Sequence, residues 1–397
     1  MLISRLAYMK TIHRKLSENP VVALLGVRQC GKTTLARLLA SNEKVCHYFD
    51  LEDPASAARL QHPSATLDPL KGLVIIDEAQ RQPELFPLLR VLADRDPLPA
   101  RFLILGSASP SLVRSVSETL AGRVGLVDMS GFDLGEVGPK NVRRLWLRGG
   151  LPRSYLAKSD AASLDWRNDF IKTFLERDLP QLGITIPSAT LRRFWTMLAH
   201  FHAQVWNAAE LARSLGATEP TARRYLDILT SAFVVRQLPP WYENIAKRQV
   251  KAPKVYLRDS GLVHALLALG TREALEGHPR LGASWEGFAL EQVLRLVGDR
   301  DAYFWATQAG AELDLFFLRN GRRYGVEFKY TDAPTLTKSM HVALADLRLE
   351  HLWVVYPGRQ SYPLHDRVEA ISILNISQLS AHLKPKRTAQ RGKSRGR

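Results

Sequence analysis

Between the branched apolar run Val21-Val-Ala-Leu-Leu25 and a helical pattern over Lys32–Ala40, the chain inserts Gly26-Val-Arg-Gln-Cys-Gly31-Lys32-Thr33. No other feature constrains the fold as tightly. Two glycines five apart, then lysine and a hydroxyl residue, let a strand end in a tight loop and restart as a helix. The glycines allow backbone N–H groups to wrap phosphate oxygens, and the helix N-terminus adds positive potential. Segments 44–50, 72–76, 102–106 and 123–129 are short, rich in branched apolar residues and mostly separated by helical stretches. The spacing predicts an α/β chain with a parallel sheet covered by helices.

Gly26, Val27, Arg28, Gln29, Cys30, Gly31, Lys32, Thr33 and Thr34 are the candidate nucleotide-binding residues. Lys32 is expected to reach the β- and γ-phosphates of ATP, and Thr33 to ligand Mg²⁺. A second signal is Leu73-Val-Ile-Ile-Asp77-Glu78, an apolar strand ending in two carboxylates. Such an ending is costly unless cations or water meet it. Asp77 is the candidate for the Mg²⁺ shell, and Glu78 the candidate base for the attacking water. The competing reading of Glu78 is a cap for the next helix. Ser107 ends the strand FLILG and is a candidate sensor of the γ-phosphate. Arg123, in LAGRV, is a candidate for transition-state charge, acting in a neighbouring subunit of an oligomer. Arg28 and Arg177 are weaker candidates, and for each arginine a structural ion pair is the other reading.

The 397 residues carry 55 Lys and Arg against 39 Asp and Glu, a net charge of +16. This balance favours polyanionic partners. Seven of the basic residues fall in the last fourteen, KPKRTAQRGKSRGR, which contain no acid. That tail, 384–397, is expected to be disordered and either to solubilise the chain or to touch nucleic acid. Two cysteines, Cys30 and Cys46, make neither a disulfide framework nor a cysteine zinc site, so a cytoplasmic setting is expected. The start has no uninterrupted apolar stretch of the secretory kind, and no apolar run approaches a bilayer's width.

GVRQCGKTTLA, VIIDEAQ, FLILGSAS, LAGR and GGLPRSYL…WRNDFIKTFLERDLPQLGI together resemble the predicted AAA-type ATPases of bacteria and archaea, in which an AAA domain precedes a C-terminal domain of unknown function. The resemblance covers nearly the whole chain except the basic tail. Carried over by position, it implies Lys32 and Thr33 in the phosphate loop, Asp77 and Glu78 in the second motif, and Ser107 as sensor.

Residues 207–230 read as helix, turn at Gly216 and helix, with Thr218 as N-cap and Pro220 in the first turn. Arg223 and Arg224 would point outward, and the basic stretch WYENIAKRQVKAPKVYL resembles a wing hairpin. As a DNA reader, this element would place Arg223 and Arg224 at the groove, with Lys247, Arg248 and Lys251 on the backbone. As an ATPase lid or protein-contact module it would need none of them.

Further on, GAELDLFFLRNGRRYGVEFKYT carries Asn320-Gly321, the strongest two-residue hairpin signal. That turn sets Asp314 opposite Glu327 and Glu312 opposite Lys329. Opposed like charges destabilise a hairpin unless a metal takes them up. Glu286, on a helix upstream, is a candidate third carboxylate. Glu286…Asp314…Glu327-Phe-Lys329 resembles the PD-(D/E)xK nuclease core, with Leu313 where a proline usually precedes the first acid. The resemblance implies a second Mg²⁺ or Mn²⁺ site with Lys329 on the phosphate. The competing reading is a solvated face of surface ion pairs.

The expected organisation is an AAA-type P-loop domain over 1–147, a helical lid over 148–189, a winged helix-turn-helix over 190–260, a restriction-endonuclease-like α/β domain over 261–383, and the tail. The expected activity is Mg²⁺-dependent ATP hydrolysis driving a switch or remodeller on nucleic acid. The alternatives are an ATP-gated module for a protein partner and an ATP-regulated nuclease. No membrane partner is expected.

Overall fold

The computed structural model describes residues 3–107, 110–242 and 250–383. Lys247, Arg248 and the basic tail therefore lie outside the described residues. The chain divides into two compact units, one of residues 1–237 and 254–288, the other of 238–253 and 289–397.

In the first unit, β1 (Val21–Gly26), β2 (Cys46–Asp50), β3 (Gly72–Asp77), β4 (Ala100–Ser107) and β5 (Val124–Met129) form one sheet in the order β2-β3-β4-β1-β5. Every pairing is parallel. All six residues of β1 are buried, as expected of a strand covered on both faces. Helices Leu6–Glu18, Lys32–Ala40 and Leu85–Ala93 accompany the sheet. Phe49, Phe86, Leu89, Phe102 and Ile104 fill its core; each such side chain taken from water contributes about 1.5–3 kcal/mol. The expected parallel sheet is present, and all five strands begin and end within two residues of the apolar runs that predicted them.

The rest of this unit is mainly helical: Val142–Arg148, Asp160–Thr173, Ser188–His200, Ala208–Leu215, Glu219–Ser231 and Ser260–Leu266. Asp160–Thr173 continues through one π-helical turn, Phe174–Asp178. The anticipated turn between helices has Gly216 at φ +71°, and the Thr218 hydroxyl accepts from the Thr221 N–H. Short strands β6 (Gln204–Val205), β7 (Val235–Leu238) and β8 (Lys254–Leu257) form a sheet ordered β6-β8-β7.

The expected border at 260/261 does not divide the two units. Residues 261–288 belong to the first because their large side chains pack there. The Trp285 ring lies 5.3 Å from that of Trp146. His264 bonds the Leu147 carbonyl at 3.0 Å, and Ser284 accepts from Trp146 Nε1 at 3.0 Å.

The second unit is built on β9 (Ala302–Ala306), β10 (Glu312–Arg319), β11 (Arg322–Phe328), β12 (His351–Tyr356), β13 (Tyr362–His365) and β14 (Val368–Ser372). They form a mixed sheet ordered β13-β14-β12-β11-β10-β9. Asn320 and Gly321 both take positive φ, +52° and +72°, so the hairpin turn is the tight kind its sequence demands. Helix Lys338–Asp346 connects β11 to its parallel neighbour β12. Trp305, Phe316, Met340, Leu344 and Val354 form the core, with Trp241 against it. Among the described residues, no helix is long and apolar enough to cross a membrane.

Candidate nucleotide site

The phosphate loop leaves β1 at Gly26, where any side chain is excluded: a Cβ would lie 1.9 Å from the Met129 carbonyl oxygen of β5. Gln29 and Gly31 both take positive φ, +60° and +100°, and the chain re-enters a helix at Lys32. The Lys32 ammonium is buried and donates to the carbonyls of Gly26 at 3.0 Å and Val27 at 3.1 Å. It is thus folded into the cradle the loop makes. Cys30 is fully buried, its thiol directed at the Met129 carbonyl.

Sheet register brings the other candidates to this edge. Ser107 of β4 is the partner of Gly26, and Asp77 ends β3, the next strand over. The Asp77 carboxylate is 1% exposed. It accepts from Tyr48 Oη at 2.7 Å and from the Glu78 N–H at 3.0 Å. Burial and the Asp77 charge together push the Tyr48 phenol well above its usual range. Both partners of Asp77 are neutral, and no cation among the described residues pairs with it. A buried carboxylate in that state suits a divalent cation. Its oxygens and the Thr33 hydroxyl are hard donors, so the residues present fit Mg²⁺.

Glu78 takes a left-handed backbone, φ +55°, which turns the chain sharply out of β3 into a 3₁₀ turn, Ala79–Arg81. Its side chain makes no cap hydrogen bond to that turn. Burial raises its pKa, opposed first by Lys32 and then by the Gln80 amide, which donates to Glu78 Oε2. Glu78, Gln80 and Ser107 line a cleft of about 350 Å³ with Arg28, Arg81 and Asp178.

Arg28 pairs with Asp178 on the π-helical turn and lies 4.0 Å from Glu52. Arg81 meets the same Glu52 at 3.5 Å. The ion-pair reading of Arg28 is therefore the one found. Arg123 is far from the cleft. It precedes β5, next to Val21 at the start of β1, whereas the phosphate loop follows that strand's other end. Its Nη2 donates to Asp94 at 2.8 Å on the surface. Within its own chain Arg123 is a surface ion pair, because the length of β1 separates it from the loop.

Sequence reading missed Arg5. Its buried guanidinium donates to the Cys30 carbonyl of the phosphate loop and to the Gly131 carbonyl, each at 3.0 Å. It also holds Glu136 at 2.7 Å.

The remaining candidates lie elsewhere. Arg223 and Arg224 are exposed on helix Glu219–Ser231, with Arg223 5.8 Å from the Trp206 ring, and Lys251 is exposed. Glu286 accepts from Lys254 Nζ at 2.9 Å and Tyr256 Oη at 2.6 Å, which ties it into the first unit. In the second unit the β10–β11 ladder runs from Leu315–Val326 to Arg319–Arg322, the register the turn predicted. Beyond it, β10 shifts register against β9 between Leu313 and Phe316. Asp314 Oδ2 accepts from the Phe328 N–H at 3.0 Å, and Glu327 Oε1 pairs with Lys329 Nζ at 2.7 Å. Neither Asp314–Glu327 nor Glu312–Lys329 is a ladder pair: each of the two buried acids has its own donor instead. No group of three or more His, Cys, Asp or Glu among the described residues is placed to hold a metal.

A glycine-cradled loop on β1, an acid pair on β3 and a polar strand end on β4 together define a P-loop ATPase domain of the AAA type. Residues 18–138 match the family model described as an AAA domain; 139–273 and 281–376 match two domains of unknown function, DUF8612 and DUF4143. The chain belongs to one family with the uncharacterized proteins Rv2008c of Mycobacterium tuberculosis and Mb2031c of Mycobacterium bovis. It is 56% identical to each over 371 residues, which cover 94% of this chain and 84% of theirs. Among solved structures it is similar to the Walker-type ATPase PABY2304 of Pyrococcus abyssi, at 14% identity over 67% of this chain and 96% of that one, with a TM-score of 0.49. The RuvB Holliday junction branch migration motor of Thermotoga maritima is matched at 18% identity over 60% of this chain and 90% of that one, with a TM-score of 0.31.

Proposed function

We propose that the chain hydrolyses ATP in a Mg²⁺-dependent reaction and uses the nucleotide cycle to act on nucleic acid. The observation that carries the first part is the convergence of Lys32, Asp77, Glu78 and Ser107 on one sheet edge beside a single cleft. Lys32 exchanges the carbonyls of Gly26 and Val27 for phosphate oxygens, joined by the loop's N–H groups. Mg²⁺, held through Thr33 and Asp77, supplies positive charge to those oxygens when bound. Glu78 takes the proton of the attacking water, for which its raised pKa makes it a stronger base. Ser107 reads the terminal phosphate from the strand beside the loop.

Action on nucleic acid rests on the +16 charge and on the segment 188–257. Its order of helix, strand, helix, helix, strand, strand is that of a winged helix, with Arg223 and Arg224 exposed on the second helix of the pair.

Turnover and nucleotide binding measured on two variants test the reading. Glu78→Gln should keep nucleotide binding and lose about 10²–10⁴-fold in turnover. Lys32→Ala should lose binding as well. Hydrolysis at the parental rate by Lys32→Ala would overturn the assignment.

A further inference from the structure

Gln80 stands two residues beyond Glu78, on the 3₁₀ turn that the left-handed Glu78 backbone starts. Its side chain has two polar ends. The amide nitrogen donates to Glu78 Oε2. The amide oxygen, Oε1, is buried and accepts no hydrogen bond from any described residue. Leaving a buried acceptor unmet costs free energy that an apolar residue at the same place would avoid.

The neighbouring strand is shaped around this amide. On β4, Gly106 precedes Ser107, and a Cβ at 106 would collide with Leu112 Cδ2 at 2.3 Å and with Gln80 Oε1 at 2.5 Å. Glycine there leaves the amide its place beside Ser107 and Glu78, on the wall of the cleft. A carboxylate fixed by a donor on one side, with an idle carbonyl oxygen beside it, offers two acceptors at one place. A water molecule has two protons to give.

We propose that Gln80 is the positioning residue of hydrolysis: its N–H holds Glu78, and its Oε1 accepts a hydrogen bond from the second O–H of the attacking water. The inference rests on the ATPase reading of Glu78 and adds a role that reading lacks. With one O–H donating to Glu78 and the other to Gln80, the water's lone pair is left to face phosphorus. The water oxygen then bonds to the γ-phosphorus, and the bond from that phosphorus to the ADP oxygen breaks. The electron pair leaves with ADP, and the water's proton passes to Glu78.

The test is Gln80→Ala in the full-length protein, read three ways. Turnover should fall about 10- to 100-fold, the effect of one hydrogen bond at a charged, reacting centre. Affinity for ADP should be unchanged, while affinity for ADP with aluminium fluoride, which mimics the phosphoryl group in transit, should fall by a similar factor.

Turnover within twofold of the parent would overturn the proposal. So would an equal loss of affinity for ADP and for its fluoride complex, which would make Gln80 a folding residue only. Glu78→Gln run in parallel separates the two readings. An inactive Glu78→Gln beside a normal Gln80→Ala removes only the role of Gln80; an active Glu78→Gln removes both.

Discussion

At the scale of single residues, the phosphate loop is held from outside its own motif. Arg5 lies 25 residues before the Cys30 carbonyl it binds and 131 before Glu136. Its guanidinium is also over the rings of Tyr8 and Phe132, at 4.7 and 5.3 Å. Burial pushes Glu136 upward in pKa and Arg5 pulls it down. Arg5→Met strands a buried carboxylate and frees a loop carbonyl. We expect it to cost about 3 kcal/mol in urea unfolding, the scale of breaking a buried pair, and to weaken binding of fluorescent ADP. A variant matching the parent in both would remove the clamp role. Lys32, Thr33, Asp77 and Glu78 could be picked out as candidates from spacing alone, since each belongs to a short-range motif. Arg5 could not, and neither could the partner of Arg28, which is 150 residues away. Nothing local distinguishes an arginine that will fold onto a distant carbonyl from one that will face solvent.

At the scale of elements, hairpins and helix caps follow from two or three adjacent residues, so the Asn320-Gly321 turn and the Thr218 cap were legible. The departure of Asp314 from the ladder was not. It depends on a register shift against β9, a strand whose pairing no local rule sets. The helix pack around His264 is a second case. Its ring is fully buried, bonded to the Leu147 carbonyl and, at 2.7 Å, to Ser284 Oγ, and burial drives its pKa down to about 4. Arg167 and His278 nearby add to the depression. An unfolded histidine titrates near 6.5, so between the two values the unfolded chain binds the extra proton. The contribution is therefore whole above about pH 6.5 and is lost as pH falls toward 4, a drop of about 3 kcal/mol. Urea midpoints from pH 7 to 4 should show a steeper decline for the parent than for His264→Gln, and parallel curves would refute the assignment.

At the scale of the molecule, charge sets what the protein meets in solution. If phosphate contacts underlie binding, affinity for duplex DNA should fall steeply with salt, and Arg223→Ala and Arg224→Ala should each lower the log–log slope by about one. A slope unchanged in both would leave the helix pair as a protein-contact element. The α/β class and the mixed C-terminal sheet were readable, because apolar periodicity reports layers. The division between units was not, because a loop looks the same in sequence whether or not cores separate at it. The seam instead follows where Trp146 and Trp285 pack.

The path of the chain has a consequence for anyone dissecting the gene. Residues 238–253 count with the second unit, yet the backbone returns to the first for β8 before leaving it at 289. Trp241, with its ring 4.8 Å from that of Phe316 and its N–H on the Phe304 carbonyl at 2.7 Å, arrives by that early excursion. A fragment begun at 261 or 289 would thus be missing an indole plug and an edge partner for β9, while one ended at 288 would carry that plug with no socket to receive it. The halves are threaded through one another in sequence, and no lone scissor cut yields either intact.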